Sequence, residues 1–215
     1  MLKDLLKYIR GHRYCLLLLY LPVYLAAFFI IDKLPLDHYI IVCPLDRYIP
    51  FNQYMIIPYA IWYAWFPGWL LFFLMKSPEE FKRLSVVMFS GMTISLIIYV
   101  LWPNGIDLRE PITGTDVCSR ALQWIREVDT PYGVCPSIHI SSIMAIALVI
   151  QDSKLPVFTD TAKAYCIVIA LMISYATMAT KQHSIVDVAA GAALSLLLYY
   201  IYPFIYKRWR WLREL

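Results

Sequence analysis

Residues 84–102 read Leu-Ser-Val-Val-Met-Phe-Ser-Gly-Met-Thr-Ile-Ser-Leu-Ile-Ile-Tyr-Val-Leu-Trp, without one charged side chain. An α-helix needs about 20 such residues to cross the hydrocarbon core of a bilayer. Working outward, five more apolar stretches follow the same pattern: 14–31, 54–75, 137–150, 162–180 and 185–206. The stretch 137–150 is short for a span and implies a tilt or a locally thinned membrane. The 215 residues are 61% hydrophobic and 16% charged, with a mean hydropathy of +0.62. A soluble domain of this length could not hide that much apolar surface. The expected fold is all-α: a polytopic membrane protein with six transmembrane helices, residues 1–215 forming one integral-membrane domain. Seven Trp and 17 Tyr suit interfacial aromatic belts. The first span follows Lys3, Lys7, Arg10 and Arg13 but is long and lacks a small-residue cleavage site, so it reads as a retained anchor.

Lysine and arginine near span ends set orientation. Lys3, Lys7, Arg10 and Arg13, then Lys76, Lys82 and Arg83, then Lys154 and Lys163, then Lys207, Arg208, Arg210 and Arg213 all fall on one side of a six-span chain. That side is expected to be cytoplasmic, with both termini, in a multi-pass cell-membrane protein. The formal charge of +4 is modest and its basic residues gather at the chain ends, so no nucleic-acid partner is expected. The opposite, external side carries 32–53, 103–136 and 181–184. Within the second of these, 116–128 has the apolar spacing of a short amphipathic helix lying on the interface.

This orientation, reached without reference to them, brings His139, His183 and Asp187 to the same external face. Ionisable groups at the mouths of spans are costly, and they mark function. His183 and Asp187 are four residues apart, hence on one face of a helix. A carboxylate that accepts one ring N–H fixes the tautomer and frees the other nitrogen to attack. A second histidine, His139, would protonate a leaving oxygen. Pro136 and Ser137 open a helix whose free N–H groups and positive dipole end suit a phosphate. Arg109 and Lys181 are the candidate cations for it. These are the parts of phosphoryl transfer without metal, and no Cys/His spacing for a metal site is present. No cofactor is expected.

Pro136-Ser137-Ile138-His139 and His183-x-x-x-Asp187-Val188-x-x-Gly191 resemble the second and third signature motifs of the type 2 phosphatidic acid phosphatase superfamily. The likeness covers the last half of the chain by motif and nearly all of it by topology. It implies a six-helix membrane lipid phosphatase or phosphotransferase. His183 would be the nucleophile that forms a phosphohistidine, Asp187 its partner, His139 the general acid and Ser137 a phosphate contact. Departures from the pattern are Ile138 where a glycine is usual, Ala176 and Thr177 where Ser-Arg precedes the third-motif histidine, and Arg109-Glu110-Pro111 as the nearest counterpart of Lys-x6-Arg-Pro. The bulky Ile138 also resembles the inositol phosphorylceramide synthase-like branch, which transfers a phospho-headgroup between lipids.

Two other functions compete with a lipid phosphatase that hydrolyses a phosphate or diphosphate. One is a phosphotransferase delivering the headgroup to a lipid or inositol hydroxyl. The other is a transporter using a His-Asp proton relay, which would thread ionisable groups through the midplane rather than cluster them at one mouth. Asp46-Arg47 before Phe51 reads as a structural turn, and Ala189–Ala193 as close helix packing. The five cysteines form no disulfide framework, although a Cys118–Cys135 bridge at the oxidising face would tie the amphipathic segment to Pro136.

Overall fold

The computed structural model describes residues 12–209. The charges at Lys3, Lys7, Arg10, Arg210 and Arg213 lie outside the described residues. The chain is mostly helical. A 3-10 segment, Arg13–Leu19, leads into α1, Tyr20–Asp32. Pro22 explains the tighter winding: it has no N–H for the Leu18 carbonyl and its ring crowds that group, which disfavours α-geometry just before it. Then come β1 (Tyr39–Ile40), α2 (Ile56–Lys76), α3 (Pro78–Leu101), β2 (Asn104–Gly105), α4 (Val117–Val128), α5 (Ile138–Asp152), α6 (Asp160–Ala179) and α7 (Ile185–Arg208).

Among the described residues, five helical segments are long and apolar enough to cross a membrane: Arg13–Asp32, Gln53–Lys76, Pro78–Leu101, Asp160–Ala179 and Ile185–Arg208. The stretch 137–150 becomes α5, which is only 15 residues long. It is the central helix, packed on α2, α3, α6 and α7, and ten of its side chains are buried. Its neighbours take the outer positions, so its length is not set by the bilayer alone.

Helix starts follow local chemistry. Ser77 accepts from the Glu80 amide with Pro78, Glu79 and Glu80 in the first turn of α3, a favourable N-terminal arrangement. Ser137, Thr159 and Ser184 cap α5, α6 and α7 in the same way. The core between α3, α5 and α7 is built on Leu84, Met88, Ile146 and Ile150. Small residues bring these helices close: a β-carbon on Gly91 would touch Ser141 Oγ at 3.3 Å.

At one end of the bundle Arg83 pairs with Asp152 at 2.9 Å and lies over the Tyr199 ring. At the other end the loops knit together. β1 and β2 pair in parallel, Tyr39 with Asn104 and Ile40 with Gly105. Helix α4 folds its buried Leu122 and Ile125 onto Ile56, Tyr59 and Ala176, while Val117 and Trp124 face outward.

All five cysteines are free thiols, so the Cys118–Cys135 bridge is not formed. The reason is packing: Cys118 sits against the Leu122 cluster, whereas Cys135 belongs to a separate cluster with Ile41, Ile106 and Val134. Burial raises the Cys135 thiol to about 11, which keeps it protonated and unreactive.

Candidate active site

His183 stands in the turn between α6 and α7. Its amide and that of Gln182 both donate to the Thr177 carbonyl, at 3.1 and 3.0 Å, wrapping the turn back onto the end of α6. Lys181 takes the left-handed backbone position, φ 59°, where a helix usually ends on glycine. At Ser184 a capping box closes the start of α7: Val186 N donates to Ser184 Oγ at 3.2 Å, and Ser184 N donates to Asp187 Oδ2 at 2.8 Å. Asp187 therefore points back over the turn, and its Oδ2 lies 3.4 Å from His183 Nδ1.

The second element is Ser137 at the head of α5. Ser137 N donates to the Asp187 carbonyl at 3.1 Å, which joins the two segments through backbone. Ser137 Oγ lies 3.1 Å from His183 Nε2, and His139 Nδ1 lies 3.1 Å from the same nitrogen. Gly191 makes this approach possible, because α7 crosses directly against Ser137. Ser137, His139 and Asp187 thus meet around the one imidazole ring of His183, the first two at Nε2 and Asp187 at Nδ1.

The segment before Pro136 is held by Asn104, which is fully buried. Its side chain donates to the carbonyls of Trp102 (3.0 Å) and Cys135 (2.9 Å) and accepts from the amides of Val134 (3.1 Å) and Cys135 (2.8 Å). All of its hydrogen-bonding capacity in this place is used. Tyr99 adds a 2.7 Å bond to the Pro136 carbonyl.

Two expected phosphate ligands are elsewhere. Lys181 Nζ donates to the carbonyls of Asp46 (3.3 Å) and Ile49 (2.5 Å), turned away from the histidines toward the first external loop. The geometry of the left-handed turn sends its side chain there. Arg109 donates to the carbonyls of Arg126 (3.2 Å) and Asp129 (2.5 Å). Its burial lowers its basicity, and its charge serves to anchor a loop. Asp46, read as part of a turn, is itself buried and docks onto the start of α7: Ser184 Oγ and Ile185 N donate to its carboxylate at 2.7 and 2.9 Å.

His139 and His183 open onto a cavity of about 150 Å³. Phe28 and Phe29 of α1 and Trp62 and Tyr63 of α2 form its apolar walls, and Asp129 and Gln182 supply its other polar groups. Among the described residues that line it, none is a lysine or an arginine. Gln182 is buried, with neither amide atom hydrogen-bonded among the described residues. Tyr59, wholly buried, donates to Asp129 Oδ2 at 3.2 Å and lies 3.1 Å from His139 Nε2. Burial raises the Asp129 carboxyl, opposed by the charges of His183 and Arg109 and by the Tyr59 bond. Asp129, Tyr59, Gln182 and Asn104 carry no motif signal; only the adjacency of Gln182 to His183 hinted at any of them. Among the described residues, no group of three His, Cys, Asp or Glu side chains is placed to hold a metal ion.

The sequence matches no family model and no curated protein. Among solved structures, the chain is similar to the crystal structure of Aquifex aeolicus LpxE, at 18% sequence identity and a TM-score of 0.49, over 74% of this chain and 86% of that one.

Proposed function

We propose that this chain is a six-span membrane enzyme that cleaves a lipid phosphate or diphosphate at the external face through a phosphohistidine on His183. One observation carries the reading: His183 Nε2 is met at 3.1 Å by both Ser137 Oγ and His139 Nδ1, with Asp187 at the other ring nitrogen. That is a nucleophile with its orienting carboxylate and a second titratable group where a leaving oxygen would stand. A lipid enters laterally past the aromatic walls on α1 and α2, and α4 lies over the mouth as an interfacial lid. The phosphoryl group replaces the contact between the two histidines. The bond from Nε2 to phosphorus forms as the bond to the lipid oxygen breaks, and His139 gives that oxygen its proton. Water then attacks phosphorus, His139 takes its proton, and the N–P bond breaks.

With Lys181 and Arg109 engaged elsewhere, the phosphoryl oxygens are met by the first amides of α5, by the Ser137 hydroxyl and by the free amide of Gln182. Both termini are cytoplasmic in this reading, at the end where Arg83 pairs with Asp152.

A second reading has its own observation. The cavity lacks lysine and arginine among the described residues that line it and contains Asp129, so it favours one negative charge over two. A phosphomonoester approaches two near neutrality, its second pKa being about 6; a phosphodiester keeps one. A diester donor with a lipid or inositol hydroxyl in place of water would make the enzyme a phosphotransferase.

The test is a panel of phosphatidic acid, phosphatidylglycerol phosphate, a polyprenyl diphosphate and an inositol phospholipid, with and without alcohol acceptors, in a chelator. Free phosphate supports hydrolysis, and a new phospholipid supports transfer. His183→Asn should abolish either product and the acid-labile phosphoprotein. Full activity in that variant, or a strict requirement for a divalent cation, would sink the mechanism.

A further inference from the structure

We propose that Asp129 is the proton reservoir of His139, wired to it through the Tyr59 hydroxyl. This rests on the reading of His139 as the acid and base of the reaction. Tyr59 has one hydroxyl hydrogen and stands between His139 Nε2 at 3.1 Å and Asp129 Oδ2 at 3.2 Å, with the Tyr63 hydroxyl as a further neighbour. For both His139 and Asp129 to bond it, one of the two must itself donate to the phenol oxygen. With His183 Nε2 kept unprotonated for attack, so that His139 Nδ1 carries hydrogen toward it, two arrangements satisfy every group. In the first, a protonated Asp129 donates to Tyr59, Tyr59 donates to His139 Nε2, and His139 Nδ1–H points to His183 Nε2. In the second, Tyr59 donates to an ionised Asp129, and His139 carries hydrogen on both nitrogens. They differ by one proton shifted along Asp129, Tyr59 and His139. The second arrangement holds the acid needed for the leaving oxygen. The first is restored after His139 takes a proton from water at Nδ1 and passes one back from Nε2.

The surroundings fit a reservoir. Tyr59 and Tyr63 from α2, Tyr24 and Asp32 from α1, Tyr99 from α3, His183 from its turn and Arg109 from the preceding loop are ionisable groups coupled to the carboxyl. Arg109 commits its amino groups to the carbonyls of Arg126 and of Asp129 itself. The Asp129 carboxyl therefore keeps Tyr59 as its hydrogen-bond donor. Burial raises the affinity of that carboxyl for a proton, and the cavity it faces is shared with both histidines.

The experiment compares Tyr59→Phe, Asp129→Asn and His139→Asn on two substrates, a lipid phosphate and p-nitrophenyl phosphate. General acid catalysis contributes roughly 10²–10⁴-fold and matters only for a poor leaving group. Tyr59→Phe and Asp129→Asn should lower kcat/KM, which reads the phosphorylation step and not the hydrolysis common to both substrates, about 10- to 100-fold on the lipid and less than about 3-fold on the nitrophenyl ester. Adding either change to His139→Asn should cost nothing more, as expected for groups that act as a unit. Equal losses on both substrates, or no loss on either, would overturn the proposal. A readout without substrate separates it from the enzymatic reading. In ¹⁵N-histidine spectra of the detergent-solubilised protein, the His139 ring should show a titration step that Asp129→Asn and Tyr59→Phe remove. An unchanged titration in both variants overturns the relay. A step that behaves as expected in a protein that cleaves neither substrate supports the relay and overturns the phosphatase.

Discussion

Gly191 lies so close to Ser137 that a β-carbon on it would stand 2.5 Å from the Ser137 carbonyl oxygen and 3.2 Å from its amide. The partner atoms are backbone, so no side chain can swing aside. This contact sets how near His183 and Asp187 come to the head of α5. Gly191→Ala should therefore cost about 1–3 kcal/mol of stability, as overpacking does, with a larger effect on kcat than on KM. Thermal unfolding and initial rates check both. Wild-type kcat in the variant would mean that the helices are not held this close.

Lys181 is a structural cation. Lys181→Met keeps the stem and removes the two bonds to Asp46 and Ile49. The turn carrying His183 loosens, so Tm and kcat fall while KM for the lipid phosphate stays within about 3-fold, a loss of less than one tenfold step in binding. A phosphate ligand would do the reverse and raise KM steeply. Steady-state kinetics on folded protein decides between them.

Asn104 is the clip under the Pro136 segment. Asn104→Leu is close in size and leaves the amides of Val134 and Cys135 and two carbonyls without partners. At about 1–3 kcal/mol for each buried group left unmatched, the variant should be strongly destabilised, with faster hydrogen exchange at 133–137. Normal exchange there would show that another contact holds the loop.

Asp129 makes stability depend on pH. Its carboxyl is raised by burial in the folded protein, whereas an unfolded chain has it near 3.9. Protonated Asp129 favours folding. That contribution is fully present below the unfolded value and is lost as pH rises through the folded one. Asp129→Asn should thus match wild type at low pH and exceed it increasingly as pH rises, while being the poorer enzyme. Tm measured across the pH range gives the sign directly.

Much of this was legible without coordinates. Uninterrupted apolar runs such as 84–102 declare membrane helices, because lipid accepts no other side chains over that length. His139, His183 and Asp187 stood out because ionisable groups are rare at such places, and the structure brings His139 and Asp187 to opposite nitrogens of the His183 ring. The assignment of cations failed for a physical reason. Proximity in sequence to His183 says nothing about direction once Lys181 adopts a left-handed turn, and Arg109 finds nearer carbonyls in its own loop. The Cys118–Cys135 pairing failed similarly, since the two thiols pack into different clusters.

The amino-acid sequence by itself determined the all-helical, membrane-like character of the chain and singled out His139, His183 and Asp187, since each of these follows from periodicity, cost of burial or i, i+4 spacing. Tertiary structure alone decided which polar groups share the cavity. Tyr59, Asp129 and Gln182 come from three distant segments, and a hydrogen bond across 70 or 80 positions depends on how helices pack, which no local pattern encodes.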